Sequence, residues 1–245
     1  MLNRGAASFE PGYGWSAEQK QAVDRTFTAA MTNVYMWMTG GLAITTIVAV
    51  LVASSDTLIN TIFGNWWMPF LIFGSQIGLV IFLSARINSM SPSKALTLFF
   101  VFAGLMGLTL SSIFIAYDMG SIGGAFGATA ASFAALSVVG LRTKSDLTKF
   151  APILMAGLFG LIIASIINIF LDSSLLGWVV SIVGVLVFMG LIVYDTNKIK
   201  KLTIQAMDNG DQHAVRRIGV IGALHLYLDF INLMLFILRI MGGRR

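Results

Sequence analysis

The stretch "ALHLYLDFINLMLFILRI", residues 223–240, decides what kind of molecule this is. Leu, Ile, Phe and Met fill most of its positions. His225 and Asp229 are four apart, Asn232 is three further on, and Arg239 is seven beyond that. At 3.6 residues per turn all four fall on one stripe. A helix that is apolar around most of its girth, with one polar line, belongs in a membrane with that line turned toward protein. Asp229 lies about 11 residues into the apolar run, roughly 16 Å at ~1.5 Å per residue, which is near mid-membrane. A carboxylate there must be paired, protonated or facing water.

The rest of the chain agrees. Of 245 residues, 57% are hydrophobic and 11% charged, and the mean hydropathy is +0.85. Soluble domains carry about 25% charged residues. This is an integral membrane protein. Seven apolar runs are long enough to cross a bilayer, which takes ~20 residues each: about 30–53, 66–86, 95–116, 120–140, 150–171, 175–195 and 218–240. The connections are short, so the runs predict one all-α bundle of seven transmembrane helices over 29–245. Barrel strands are far shorter than these runs.

Residues 1–28 contain Glu10, Pro11, Glu18 and Asp24. They lack the short basic start and brief apolar core of a secretory signal, and read as a flexible polar tail. The alternative is an amphipathic lead-in helix over "SAEQKQAVDRTF" (16–27), with Ser16 as its N-cap.

Lys and Arg alternate between the two ends of the runs. The tail has Arg4, Lys20 and Arg25, the 2–3 connection Arg86 and Lys94, the 4–5 connection Arg142, Lys144 and Lys149, and the 6–7 connection Lys198, Lys200, Lys201, Arg216 and Arg217. The other three connections have none. The positive-inside rule then places the N-terminus in the cytoplasm. Arg239, Arg244 and Arg245 break the alternation. Either the last run crosses against the rule, which its length favours, or it is re-entrant.

Glycines at 120, 123, 124 and 127, and at 104 and 107, are spaced for close helix contact. A nucleotide-binding reading of "GSIGGAFGATAA" (120–131) fails, because no strand precedes it.

A second carboxylate stands in "GLIVYDTNKIKK" (190–201), where an apolar run reaches Tyr194, meets Asp195 and dissolves into lysines. Position alone leaves Asp195 balanced between a helix end and a site. If Asp195 and Asp229 approach, both cannot easily ionise, and the pair holds a shared proton over some pH range. Ionised, it is an oxygen-rich site for a hard cation such as calcium, held transiently. Arg86, at the end of the second run, is a candidate counter-charge, although the plainer reading of it is a positive-inside anchor. His225 reads as a packed or interfacial histidine. Ser165, Asn168 and Asp172 form a polar stripe on the fifth run, suited to interhelical hydrogen bonds or to pore lining.

Other classes are poorly supported. No HExxH, nucleophile elbow or phosphate loop occurs, the two histidines have no ligand cluster around them, and no cofactor is implied. An intramembrane aspartyl protease stays a thin alternative, since it too uses two membrane aspartates. A retinal protein needs a lysine within its last helix, and none is there. With no cysteine, disulfide and thiolate chemistry are excluded. The net charge of +5 sits between apolar runs and does not argue for nucleic acid.

"LIVYDTNKI" (191–199) and "LYLDFINLMLFILRIMG" (226–242), with "LFFVFAGLMGLTLSSIF" (98–114), resemble the Bax inhibitor-1 (transmembrane BAX inhibitor motif) family over about residues 25–245. The long tail, the lack of cysteine and the "MGGRR" end look like its bacterial branch. The resemblance implies six helices wrapped around a central C-terminal helix. It implies a pH-sensitive calcium leak, with Asp195 and Asp229 as the gating pair and Arg86 as its latch. It also supplies an alternative: a non-transporting regulator of other membrane proteins, such as a membrane-bound ATP-dependent protease, working through the tail. One difficulty stands. Depth counting puts Asp195 near the surface and Asp229 near the middle, so their meeting requires the seventh helix to enter shallowly or the sixth to continue past Asp195 under cover of its neighbours.

Overall fold

The computed structural model describes residues 17–242. Among these there is no strand. The elements are α1 (Ala17–Ala53), α2 (Asp56–Phe63), α3 (Met68–Arg86), α4 (Pro92–Ala116), α5 (Met119–Arg142), α6 (Ala151–Leu171), α7 (Ser174–Asp208) and α8 (Gln212–Met241). Seven of them are long and apolar enough to cross a membrane. The exception is α2, a short helix in the first connection, capped by the Ser55 hydroxyl.

The structure moves several boundaries read from hydropathy. α1 begins at Ala17, so residues 17–28 are helical and continuous with the first span, and the boundary placed at 28 falls inside a helix. Ser16 and the rest of the tail lie outside the described residues. α7 does not stop at Asp195 but continues to Asp208, and α8 begins at Gln212 rather than near 218. α7 has 35 residues, about 52 Å at ~1.5 Å each, against a hydrocarbon core of ~30 Å. The extension is held by its own buried stripe, Thr196, Ile199, Thr203 and Ala206, at the three- and four-residue steps of one helix face. α8 is unbroken over 30 residues, which removes the re-entrant reading.

The two long helices form a hairpin. Gly210 takes a left-handed φ of 71°. Its N–H donates to Met207 O at 2.9 Å, and the N–H of Asp211 donates to Ala206 O at 3.0 Å. This is the Schellman stop that glycine permits. The Asp211 carboxylate then accepts from Ala214 N at 2.8 Å and starts α8.

α8 is the most buried span: 61% of its most apolar window is inside the protein, against 6–33% for the other six. It packs on α1, α4, α5 and α7. α3 lies mainly on α4, and α6 mainly on α7, so these two form an outer layer. At the centre, Tyr227 of α8 is fully buried, stacks edge-on against Phe99 and Phe102 of α4, and shares a 2.6 Å hydrogen bond with the Thr45 hydroxyl of α1. Thr45 donates onward to Ala103 O at 2.8 Å.

The glycine expectation needs correction. Gly107 does bring helices together: a Cβ there would lie 2.7 Å from Thr45 O of α1. Gly104, Gly123 and Gly127 face open space, and Gly124 meets only the Met241 side chain. The tight approaches are elsewhere. At Gly140 a Cβ would sit 2.7 Å from Val193 O, and at Gly222 it would sit 2.9 Å from the Ile199 side chain. Spacing of four alone does not say which glycine faces a neighbour.

Candidate functional site

The hairpin register builds the site. Positions 195 and 225 lie fifteen residues on either side of Gly210, and so stand opposite one another where α7 packs on α8. Asp195 accordingly faces His225, with Lys198 one turn away on its own helix. Asp229 is a turn beyond His225, on the same face. The carboxyls of Asp195 and Asp229 lie close enough to interact directly. The depth difficulty is resolved because α7 runs on past Asp195 under cover of α5 and α8.

Two carboxyls within hydrogen-bonding reach bond only while one carries a proton, since an ionised carboxylate is acceptor-only. Asp229 is 5% exposed, and its Oδ2 has no hydrogen-bond partner among the described residues. A buried carboxylate oxygen left open in this way is costly unless a proton, water or cation serves it.

Three more buried hydroxyls lack partners: Tyr35, Ser137 and Thr196. The Tyr35 hydroxyl of α1 faces those of Ser137 (α5) and Thr196 (α7). With Asp229, they make up the unpartnered buried side-chain oxygens of the described residues. Sequence reasoning missed the trio. Its one legible sign was Thr196, adjacent to Asp195 and on the stripe that extends α7.

Beside the pair, α7 caps α5. Asn197, 2% exposed, donates from Nδ2 to Gly140 O at 3.2 Å and Thr143 O at 3.0 Å. Lys200 Nζ donates to Leu141 O at 2.6 Å. The last carbonyls of a helix have no partner of their own, so these two side chains satisfy the end of α5 and lock it to α7. Lys201 reaches Asp146 at 3.0 Å, and Lys198 lies over the Tyr194 ring at 5.8 Å.

The remaining predicted residues separate. Arg86 ends α3 with its side chain exposed, and among the described residues it forms no ion pair. The 3-10 turn after it, Ile87–Ser89, touches α8, but the structure does not bring Arg86 to the carboxyls. Asn232 turns back on its own helix, donating to Leu228 O at 2.8 Å. Asn168 is at the other end of the bundle, where its Oδ1 accepts from Ser173 N at 3.2 Å. His225, Asn232 and Asn168 therefore do not form one continuous line. No group of three or more His, Cys, Asp or Glu arranged for a metal ion occurs among the described residues; the pair offers two carboxyls at most.

The family model described as inhibitor of apoptosis-promoting Bax1 matches residues 28–245. The inner membrane protein YbhL of Escherichia coli (strain K12) is 44% identical over 215 residues, covering 88% of this chain and 92% of YbhL. An uncharacterized protein of Borreliella burgdorferi is 41% identical over 215 residues, with coverage of 88% and 92%. One of Deinococcus radiodurans is 35% identical over 226 residues, with coverage of 92% and 95%.

Proposed function

The chain belongs to the Bax inhibitor-1 family, and from that premise we propose that it is a pH-sensitive calcium leak, or proton-coupled cation transporter, of the bacterial inner membrane. The observation that carries this reading is the closeness of the Asp195 carboxyl to that of the buried Asp229. While the pair shares a proton it carries a single negative charge, and the shared proton holds α7 to α8. When the proton leaves, two negative charges face each other at close range. They either separate or draw a cation between them. Protonation and cation passage are coupled through the same oxygens. The N-terminus is cytoplasmic in this reading, which puts Lys198, Lys200 and Lys201 at the cytoplasmic face.

Arg86 acts as a latch only in a second state, in which α3 shifts toward the pair. Its outer position on α4 makes that movement inexpensive in lost packing. The test is calcium entry into liposomes holding the purified protein, over a series of pH values. Flux that varies with pH, and loses this response in the Asp195→Asn/Asp229→Asn double variant, supports the proposal. Intact flux and an intact pH response in that variant refute it.

A second reading rests on the helix that begins at Ala17, ahead of the span that starts at Arg25. A helical projection suits contact with another membrane protein, including a membrane-bound protease. Deleting residues 1–25 separates the two readings. A regulator loses its cellular effect with flux unchanged, whereas a leak keeps both.

A further inference from the structure

The end of the bundle opposite Lys198–Lys201 holds a polar cavity of about 640 Å³. Four helix ends converge there: the residue after α4 (Tyr117), the last turns of α6, the first turns of α7 and the end of α8. Among its lining residues are Arg239 and Asp172. They are opposite in sign, yet form no ion pair with each other or with any described residue. Among the described residues, the Arg239 guanidinium lies over the face of Phe236, 5.8 Å away. Asp172 closes α6 in a left-handed conformation, φ 45°, and its N–H bonds Asn168 O. The space between is furnished with polar groups, Ser165, Asn168, Ser173 and Ser174.

The surroundings say what fills it. Ile169, Phe170, Leu171 and Leu175 are large apolar side chains, each more than half exposed, at this same end of the bundle. In a membrane they face lipid tails. Trp178 and Tyr117, which also line the cavity, have amphipathic rings of the kind that settle at headgroup depth. Arg239 and Asp172 are both exposed to this space, and a cavity this large cannot stay dry beside two charges that have no ion pair among the described residues, since a water occupies only ~30 Å³. A ligand that displaces this water meets a cation and an anion at once, and whatever extends beyond the cavity lies against apolar surface.

We propose that this cavity binds the head group of a zwitterionic amino-phospholipid, with the phosphate on Arg239 and the ammonium on Asp172. Guanidinium suits phosphate because its planar fork donates two parallel hydrogen bonds. Asp172, Ser165 and Asn168 offer acceptors to an N–H-bearing ammonium, which a quaternary ammonium could not use. The same assignment accounts for one of the three cations that break the charge alternation: Arg239 is placed by a ligand rather than by topology.

The experiment is native mass spectrometry of the full-length protein, released from nanodiscs of equal parts phosphatidylethanolamine, phosphatidylcholine and phosphatidylglycerol. The wild type should retain phosphatidylethanolamine in preference to the other two. Arg239→Gln should weaken retention of every phosphate lipid, and of phosphatidylethanolamine by roughly tenfold. Asp172→Asn should remove the preference for phosphatidylethanolamine and leave phosphatidylglycerol unchanged. Asn tolerates the left-handed backbone at 172, and thermal unfolding confirms that both variants fold. Glycerophosphoethanolamine, the same head group without tails, should compete only weakly. Equal retention of the three lipids by the wild type overturns the proposal. So does full competition by the soluble head group, or a change of calcium flux in both variants without a change in bound lipid. That last result would make the cavity the mouth of an ion path.

Discussion

Asp195 and Asp229 meet although apolar run lengths place one at the membrane surface and the other near its middle. The cause is the hairpin. α7 continues thirteen residues beyond Asp195, and α8 starts seventeen residues before Asp229, so the two helices pack side by side well past the apolar limit. The pair is thus a product of α7–α8 packing, and whatever loosens that packing acts on it.

Asn197 is the first lever. Its Nδ2 serves two carbonyls at the end of α5. Asn197→Ala leaves both without that donor in a buried place, a loss of about 1–3 kcal/mol. The expected result is a lower unfolding temperature in detergent, with the helix content of the folded state unchanged.

Glycines provide a paired test of the packing. Gly140→Ala places a methyl 2.7 Å from Val193 O and 2.8 Å from Thr196 Cβ. α5 must move off α7, at a cost of about 1–3 kcal/mol by overpacking. Gly123→Ala meets nothing within 4 Å and should leave stability unchanged or slightly raised, because Ala is the better helix former. Thermal unfolding of the two variants side by side checks this. Equal losses would mean that the glycine contacts are misassigned.

Asp146 separates a surface titration from the response of the pair. Its Thr148 hydroxyl bond, and then Lys201, hold its carboxyl down at about 2. A folded-state value below the ordinary one of 3.8 means the stabilisation is fully present above the ordinary value. It is lost only as pH falls through the folded one. Nothing at Asp146 changes near neutrality. Asp146→Asn should therefore leave the pH profile of calcium flux between pH 5 and 8 (a window of about 3 units set by the usual range of stable proteins) where the wild type has it.

Most of the fold was legible because lipid imposes a simple rule: each span needs an apolar run of sufficient length. All seven spans overlap the seven runs. What hydropathy could not show was where helices continue outside lipid. There the signal changes from bulk hydrophobicity to a one-sided stripe, and Thr196, Ile199, Thr203 and Ala206 carry it among lysines. Asp229 stood out as a charge in an apolar run, whereas Tyr35, Ser137 and Thr196 did not, because isolated hydroxyls are common in membrane helices. Arg86 was chosen for its place at a run end, and place along the chain does not give the direction of a side chain. Asn168, Asp172 and Arg239 were each visible alone, but their shared cavity depends on how the ends of α6, α7 and α8 converge.

The central claim is that the proton shared by Asp195 and Asp229 controls passage of the cation. The most direct measurement is the pH profile of calcium flux in liposomes holding the Asp229→Asn variant beside the wild type. Asn at 229 keeps the size of the side chain and can still hydrogen-bond Asp195, but it cannot exchange a proton. The account predicts a wild-type profile that varies with pH and a variant profile that is flat. A variant profile that follows the wild type across the same range would contradict it.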